Sequence, residues 1–198
     1  RGADLINAGE GDNDVNAGAG NDVITTGSGN DTINAGDGND EVFAGNGDNV
    51  VNLGEGNDYV ETGSGNDIIT NDGGNNTVRS GAGADDVTLS DGNNDVDTST
   101  GADKVSVGDG DNVIRVGAGD DTVTAGEGDN VIVAGAGDDL ITVGDKGSNT
   151  ITGGQGVDRI VLGDGANTVR FLQASDSFGL AATRDTVIGF DSDDTITI

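Results

Sequence analysis

Along most of this chain an Asp or Asn recurs every nine residues with Val or Ile two places after it, as in Asp121-Thr122-Val123, Asn130-Val131-Ile132 and Asp139-Leu140-Ile141. Glycines stand just ahead of each one, as Gly117 and Gly119 stand ahead of Asp121. Carboxylates, amides and the backbone carbonyls exposed by glycine-rich turns make an all-oxygen donor set, and hard divalent cations are its natural match. As turn formers beside glycine, the same Asp and Asn would need no ligand. Other chemistries lack their residues. The sequence has no His and no Cys, so a Ser-His-Asp triad, a thiolate nucleophile and an ordinary zinc or haem site are excluded. Tyr59 is the lone tyrosine, and paired carboxylates recur too uniformly to mark one catalytic centre. No catalytic residue is expected, and enzymatic activity is expected to be absent from this chain.

The overall charge narrows the partners. Asp and Glu number 37 against eight Lys and Arg, a formal charge of −29. Such a surface repels nucleic acid and anionic membranes, which need clustered cations, so neither is expected as a partner. No stretch approaches the ~18 apolar residues of a membrane span. Few aromatics with high charge usually mean disorder, but the strict periodicity argues for an ordered state under some condition. The absence of Cys suits an extracellular protein. The chain starts at Arg1 in mid-repeat and is expected to be a fragment of a larger protein.

The elements that position these oxygens follow from the repeat. A nine-residue register runs from Ala8 to Arg170 as eighteen units, after a partial unit at 1–7 and with one insertion near Lys146. The fourth position is Gly in all nineteen, from Gly2 to Gly165, and the eighth is Val or Ile in all nineteen, from Ile6 to Val169. The sixth is always Asp or Asn. The second is Gly in every full unit but three, which carry Asp72, Ser90 and Ser99 and predict irregular turns there. Gly at the second and fourth positions permits φ > 0 in a tight turn of about six residues. A β-branched residue between two variable ones suits a strand of about three residues. One such strand cannot bury its apolar residue alone, but stacked copies can. Alternate units then face each other across a thin core. The expected fold is all-β, a two-sheet solenoid of parallel strands with 18 residues per coil, on the order of 45 Å long at ~4.8 Å per coil.

Segments such as TTGSGNDTIN, LGEGNDYVE and AGAGDDLIT carry the pattern G-G-x-G-x-D-x-(large apolar)-x, which resembles the RTX, or hemolysin-type, calcium-binding repeat. The likeness covers residues 1–170, taken as the β-roll. The tail FLQASDSFGLAATRDTVIGFDSDDTITI resembles the segment that follows such repeats in secreted proteases, so residues 171–198 are taken as a C-terminal cap. Asp176, Asp185, Phe171, Leu172, Phe178, Val187, Ile188 and Phe190 are its candidate residues. The resemblance implies a right-handed parallel β-roll, Ca²⁺ held between turns, secretion through a type I system and a folded state that depends on calcium.

It also implies that one Ca²⁺ lies between two turns stacked on the same side, bound by both carboxylates and by turn carbonyls. Same-side turns are two units apart. One side then carries Asp4, Asp22, Asp40 and Asp58 followed by Asn76, Asn94, Asn112, Asn130, Asn149 and Asn167. The other carries Asn13, Asp31 and Asn49 followed by Asp67, Asp85, Asp103, Asp121, Asp139 and Asp158. The expected ligands are Asp4, Asp22, Asp40 and Asp58 with the carbonyls of Gly20, Gly38 and Gly56, then Asp67, Asp85, Asp103, Asp121, Asp139 and Asp158 with those of Gly65, Gly83, Gly101, Gly119, Gly137 and Gly156. That makes three sites on one side and five on the other, about eight ions. The amide is a neutral, weaker ligand, so the Asn turns are expected to be metal-poor and to hydrogen-bond in a ladder instead. Asp12, Asp48, Asp111 and Asp129 stand one place before Asn turns, where they either offer a shifted carboxylate or sit in solvent. Arg79, Asp97 and Arg115 are expected to stack as a surface ion-pair ladder.

Energetics point to the same ligand. Each short strand buries little, no disulfide helps, and self-repulsion among the acids opposes compaction. An ion that binds only the folded roll supplies the missing stabilisation, so the metal-free chain is expected to be largely unfolded. The function expected is a calcium-binding module that folds outside the cell and supports type I secretion, with calcium ions and the secretion machinery as partners. Alternatives are an accessory module of a polysaccharide lyase, epimerase or protease, or a stalk of an adhesin, surface-layer or ice-binding protein. These would add a polysaccharide or cell-surface partner through the parent protein.

Overall fold

The computed structural model describes residues 1–171 and 184–198. Among them no helix occurs, and twenty-one short strands alternate between two sheets. The eleven odd-numbered strands, from β1 (Leu5–Gly9) to β21 (Thr195–Thr197), form one sheet; the ten even-numbered strands, from β2 (Asp14–Ala19) to β20 (Thr186–Ile188), form the other. Every pairing is parallel and joins a strand to its equivalent one coil along. Thus β13 (Val113–Ala118) pairs with β15 (Val131–Ala136), Ile114 facing Ile132 in register. The architecture is the expected β-solenoid.

The core explains the spacing of the apolar residues. Eighth-position side chains from Ile24 to Val169 are fully buried, and those at the first position of the next unit, such as Leu53, Val116 and Ala134, lie beside them. Each strand therefore turns two residues inward and the ninth-position residue between them outward, as pleating requires. Sequence reasoning counted only the first of the two. No cavity opens in this core among the described residues.

Glycine at the fourth position is required twice over. Gly119 has φ of 141°, and a Cβ there would lie 1.5 Å from the carbonyl oxygen of Gly101 in the preceding coil. Stacked turns come too close for any side chain. The second position departs from expectation. Its φ is positive at Gly117 and Gly135, ahead of Asp121 and Asp139, but not at Gly108 or Gly126, ahead of Asn112 and Asn130. Asp72 and Ser90 precede Asn76 and Asn94 and likewise keep negative φ, so these two turns tolerate a side chain. Ser99, ahead of Asp103, is the one described non-glycine residue with positive φ, at 65°.

The tail resumes the roll. β20 pairs with β18 (Arg159–Val161) and β21 with β19 (Thr168–Arg170), so residues 184–198 have the geometry of a further coil. Of the expected cap residues, Phe171 and Val187 pack against the core. Ile188 and Phe190 are exposed instead, because Ile188 follows the inward Val187 in the pleat. Leu172, Asp176 and Phe178 lie outside the described residues.

Candidate metal centre

Two columns of side chains run the length of the roll, one under each edge. The sixth-position residue of each coil accepts a hydrogen bond at Oδ1 from the backbone N–H of its counterpart one coil earlier. Asp4 donates to Asp22 at 2.7 Å, Asp22 to Asp40 at 2.7 Å and Asp40 to Asp58 at 2.8 Å. On the opposite edge Asp67 donates to Asp85, Asp85 to Asp103, Asp103 to Asp121, Asp121 to Asp139 and Asp139 to Asp158, all at 2.8–3.0 Å. The two predicted files of residues are therefore the two stacked columns. Asp4, in the first turn, is exposed.

The second oxygen of these carboxylates sets the chemistry. Oδ2 of Asp22, Asp40, Asp58, Asp67, Asp85, Asp103, Asp121, Asp139 and Asp158 is buried and accepts no hydrogen bond. A buried charge without a partner is strongly unfavourable. Burial accordingly pushes the Asp58, Asp121 and Asp139 carboxyls up to about 6 and that of Asp158 to about 7; the backbone N–H bond from the preceding coil opposes the shift and the neighbouring carboxylate adds to it. Asp40, Asp67 and Asp103 are raised for the same leading reason. A cation between the turns fits this donor set, because it compensates buried carboxylate oxygens that meet no protein donor.

The Asn turns lack that demand. Asn112 uses Oδ1 as the Asp residues do, accepting from Asn94 N–H at 2.9 Å. Its Nδ2 donates to the carbonyls of Gly108 at 3.4 Å and Gly110 at 3.0 Å and to Asn130 Oδ1 at 2.9 Å. Asn130 repeats the arrangement with Gly126, Gly128 and Asn149. No Asn from the column is left with an unsatisfied buried side-chain atom among the described residues.

Three further acids belong to these columns, one of them Asp194, which accepts from Asn167 N–H at 2.8 Å. Asp31 lies between Asn13 and Asn49, accepts from Asn13 N–H at 2.8 Å, and buries an Oδ2 that accepts nothing. Its isolation between amides hid it from an argument based on pairs of Asp. Asp185 accepts from Asp158 N–H at 2.9 Å and so extends the column past residues 172–183. The signal was present in Asp185-Thr186-Val187, which repeats the sixth-to-eighth spacing.

The outer acids take a different role. Asp12, Asp48, Asp111 and Asp129 are exposed, and each accepts a backbone N–H from the following coil, at 2.7–2.9 Å. The ion-pair ladder is centred on Asp95 rather than Asp97. Arg79 and Arg115 both reach Asp95 at 3.1 Å. Residues 95 and 97 both point outward from the same strand, and the long guanidinium arms lean to the earlier one. No three acidic side chains converge on one point among the described residues. Each turn contributes one carboxylate, and the remaining donors are backbone carbonyls, as calcium's preference for six to eight oxygens allows.

A family model for the RTX calcium-binding nonapeptide repeat matches residues 1–24, 17–51, 34–69, 43–78, 70–105, 106–141 and 143–169. The chain belongs to this family. No curated protein and no solved structure shows significant similarity to it. RTX repeats bind Ca²⁺ and occur in secreted proteins, which matches the cation demanded by the buried oxygens and suggests an extracellular setting.

Proposed function

We propose that this RTX chain is a calcium-responsive folding module of a larger secreted or surface protein, exported by a type I system. The observation that carries it is the double column of buried carboxylate oxygens that meet no donor. In the cytosol, where free calcium is scarce, those oxygens and the charge of −29 keep the chain extended and able to thread an export channel. Outside, sites with Kd of about 10⁻⁴–10⁻³ M fill, and coils add in turn on the C-terminal end, as in other one-dimensional arrays. The ions are assigned to the Asp4–Asp58 and Asp67–Asp158 columns, with the fourth-position glycine carbonyls as co-ligands and with Asp31 and Asp185 as additions. Catalysis by the parent protein, if any, is assigned to residues outside this chain. Far-UV circular dichroism during a calcium titration tests the reading. Cooperative gain of β-structure at millimolar calcium is expected, and full β-content in excess chelator at neutral pH would overturn it.

A second reading rests on one file of side chains. Asn16, Asn34, Asn52, Thr70, Thr88, Ser106, Thr124 and Thr142 stand in register on the outer face of the even-numbered sheet. A regular polar row of this kind suits an adhesive or ice-binding roll. Thermal hysteresis of the calcium-loaded chain decides it, and freezing behaviour equal to that of a buffer control removes it.

A further inference from the structure

The alternation of Asp and Asn has a chemical meaning beyond strong and weak ligands. An Asn and an Asp at the sixth position share one orientation, since in both Oδ1 accepts the N–H of the preceding coil. The remaining branch of the side chain is therefore the only difference. In Asp103 and Asp121 it is an oxygen that meets no donor. In Asn112 and Asn130 it is an NH₂ that meets two turn carbonyls and the side-chain oxygen of the next coil. An amide NH₂ is the positive end of a dipole, and its three acceptors are the kind of oxygens that a cation would otherwise gather.

We propose that Asn76, Asn94, Asn112, Asn130 and Asn167 each carry a built-in stand-in for calcium, their Nδ2 groups satisfying the turn oxygens so that this edge closes without metal. Each coil past the midpoint then needs an ion on one edge only. The edge with Asp sets the calcium requirement, and the edge with Asn is assembled as soon as the strands pair. Exchange of one oxygen for one NH₂ thus writes the ion count of the roll. The inference rests on the calcium reading above but is tested separately from it.

The test counts ions by native mass spectrometry on the full chain in three forms, each at saturating calcium with folding checked by circular dichroism. The wild type is compared with the double variant Asn112→Asp/Asn130→Asp and with the reverse pair Asp103→Asn/Asp121→Asn. Counting one ion for each buried Oδ2 at the sixth position, two ions more and two fewer are expected, respectively. A wild-type count near one ion per turn on both edges overturns the proposal and leaves the calcium reading standing, as does an unchanged count in the first variant. A second measurement needs no ion count. Hydrogen exchange of the Asn112 and Asn130 side-chain amides in the folded roll is expected to be slowed at least about a hundredfold relative to exposed Asn93. Exchange as fast as that of Asn93 sinks the stand-in, whether or not calcium binds.

Discussion

Replacing Asp121 by Asn separates a metal ligand from a turn former. The new residue keeps Oδ1, so the bond from Asp103 N–H at 2.8 Å survives. Its NH₂ is expected to reach the carbonyls of Gly117 and Gly119 and Oδ1 of Asp139, as Asn13 reaches Gly9, Gly11 and Asp31 Oδ1 at 2.5–3.1 Å. Removing one unpartnered buried oxygen stabilises the metal-poor roll by about 1–3 kcal/mol. The same change is expected to delete the calcium site proposed at Asp121, whose contribution grows as RT ln(1 + [Ca²⁺]/Kd). With Kd of about 10⁻⁴–10⁻³ M, that contribution is about 1.4–2.7 kcal/mol at about 10 mM calcium. The variant is therefore favoured at limiting calcium and loses ground by about 1.4 kcal/mol for each tenfold rise above Kd. Urea unfolding at a series of calcium concentrations, followed by circular dichroism, measures this slope. Asp121→Ala, which also removes the acceptor for Asp103, is the control and is expected to be less stable than Asp121→Asn throughout. A stability difference between wild type and Asp121→Asn that does not change with calcium would exclude Asp121 as a metal ligand.

Four other outcomes are expected. In chelator the roll should gain β-content as pH falls. Asp58, Asp121 and Asp139 at about 6 and Asp158 at about 7 lie above the ordinary 3.8, so the metal-free fold is disfavoured above that window and the penalty fades as pH falls through it toward 3.8. Calcium binds the ionised form, so ion affinity should fall over the same window, which a calcium titration at about pH 5 and about pH 8 checks. Ser99→Gly relieves a left-handed φ of 65° and should stabilise the loaded roll by about 1 kcal/mol, raising Tm by about 2–4 °C in a thermal melt. Gly119→Ala places a methyl 1.5 Å from the Gly101 carbonyl oxygen at φ of 141°. It should cost at least about 3 kcal/mol in urea unfolding at saturating calcium, and a loss below about 1 kcal/mol would mean that the stacked turns are not so close.

The repeat alone determined the class of fold, the length of the coil and which side chains stack, because a strict nine-residue period leaves alternate strands no arrangement that buries Val and Ile except pairing eighteen residues apart. It also determined the donor chemistry, since a chain without His or Cys offers metals only oxygen. The first-position layer of the core was not legible, because Ala, Thr, Ser and Leu share that position and no single residue type marks it. Nor was the choice of Asp95 over Asp97, which depends on where two arginine side chains lean across a sheet. The sequence marks Asp as the stronger ligand and Asn as a ladder former, but only the tertiary structure decided which atoms make the difference, because it arises when stacking buries each side chain beside the next. There Oδ2 is left facing no donor, whereas Nδ2 finds the carbonyls of its own turn. Burial turns a one-atom difference into the contrast between an unpartnered oxygen and a paired NH₂.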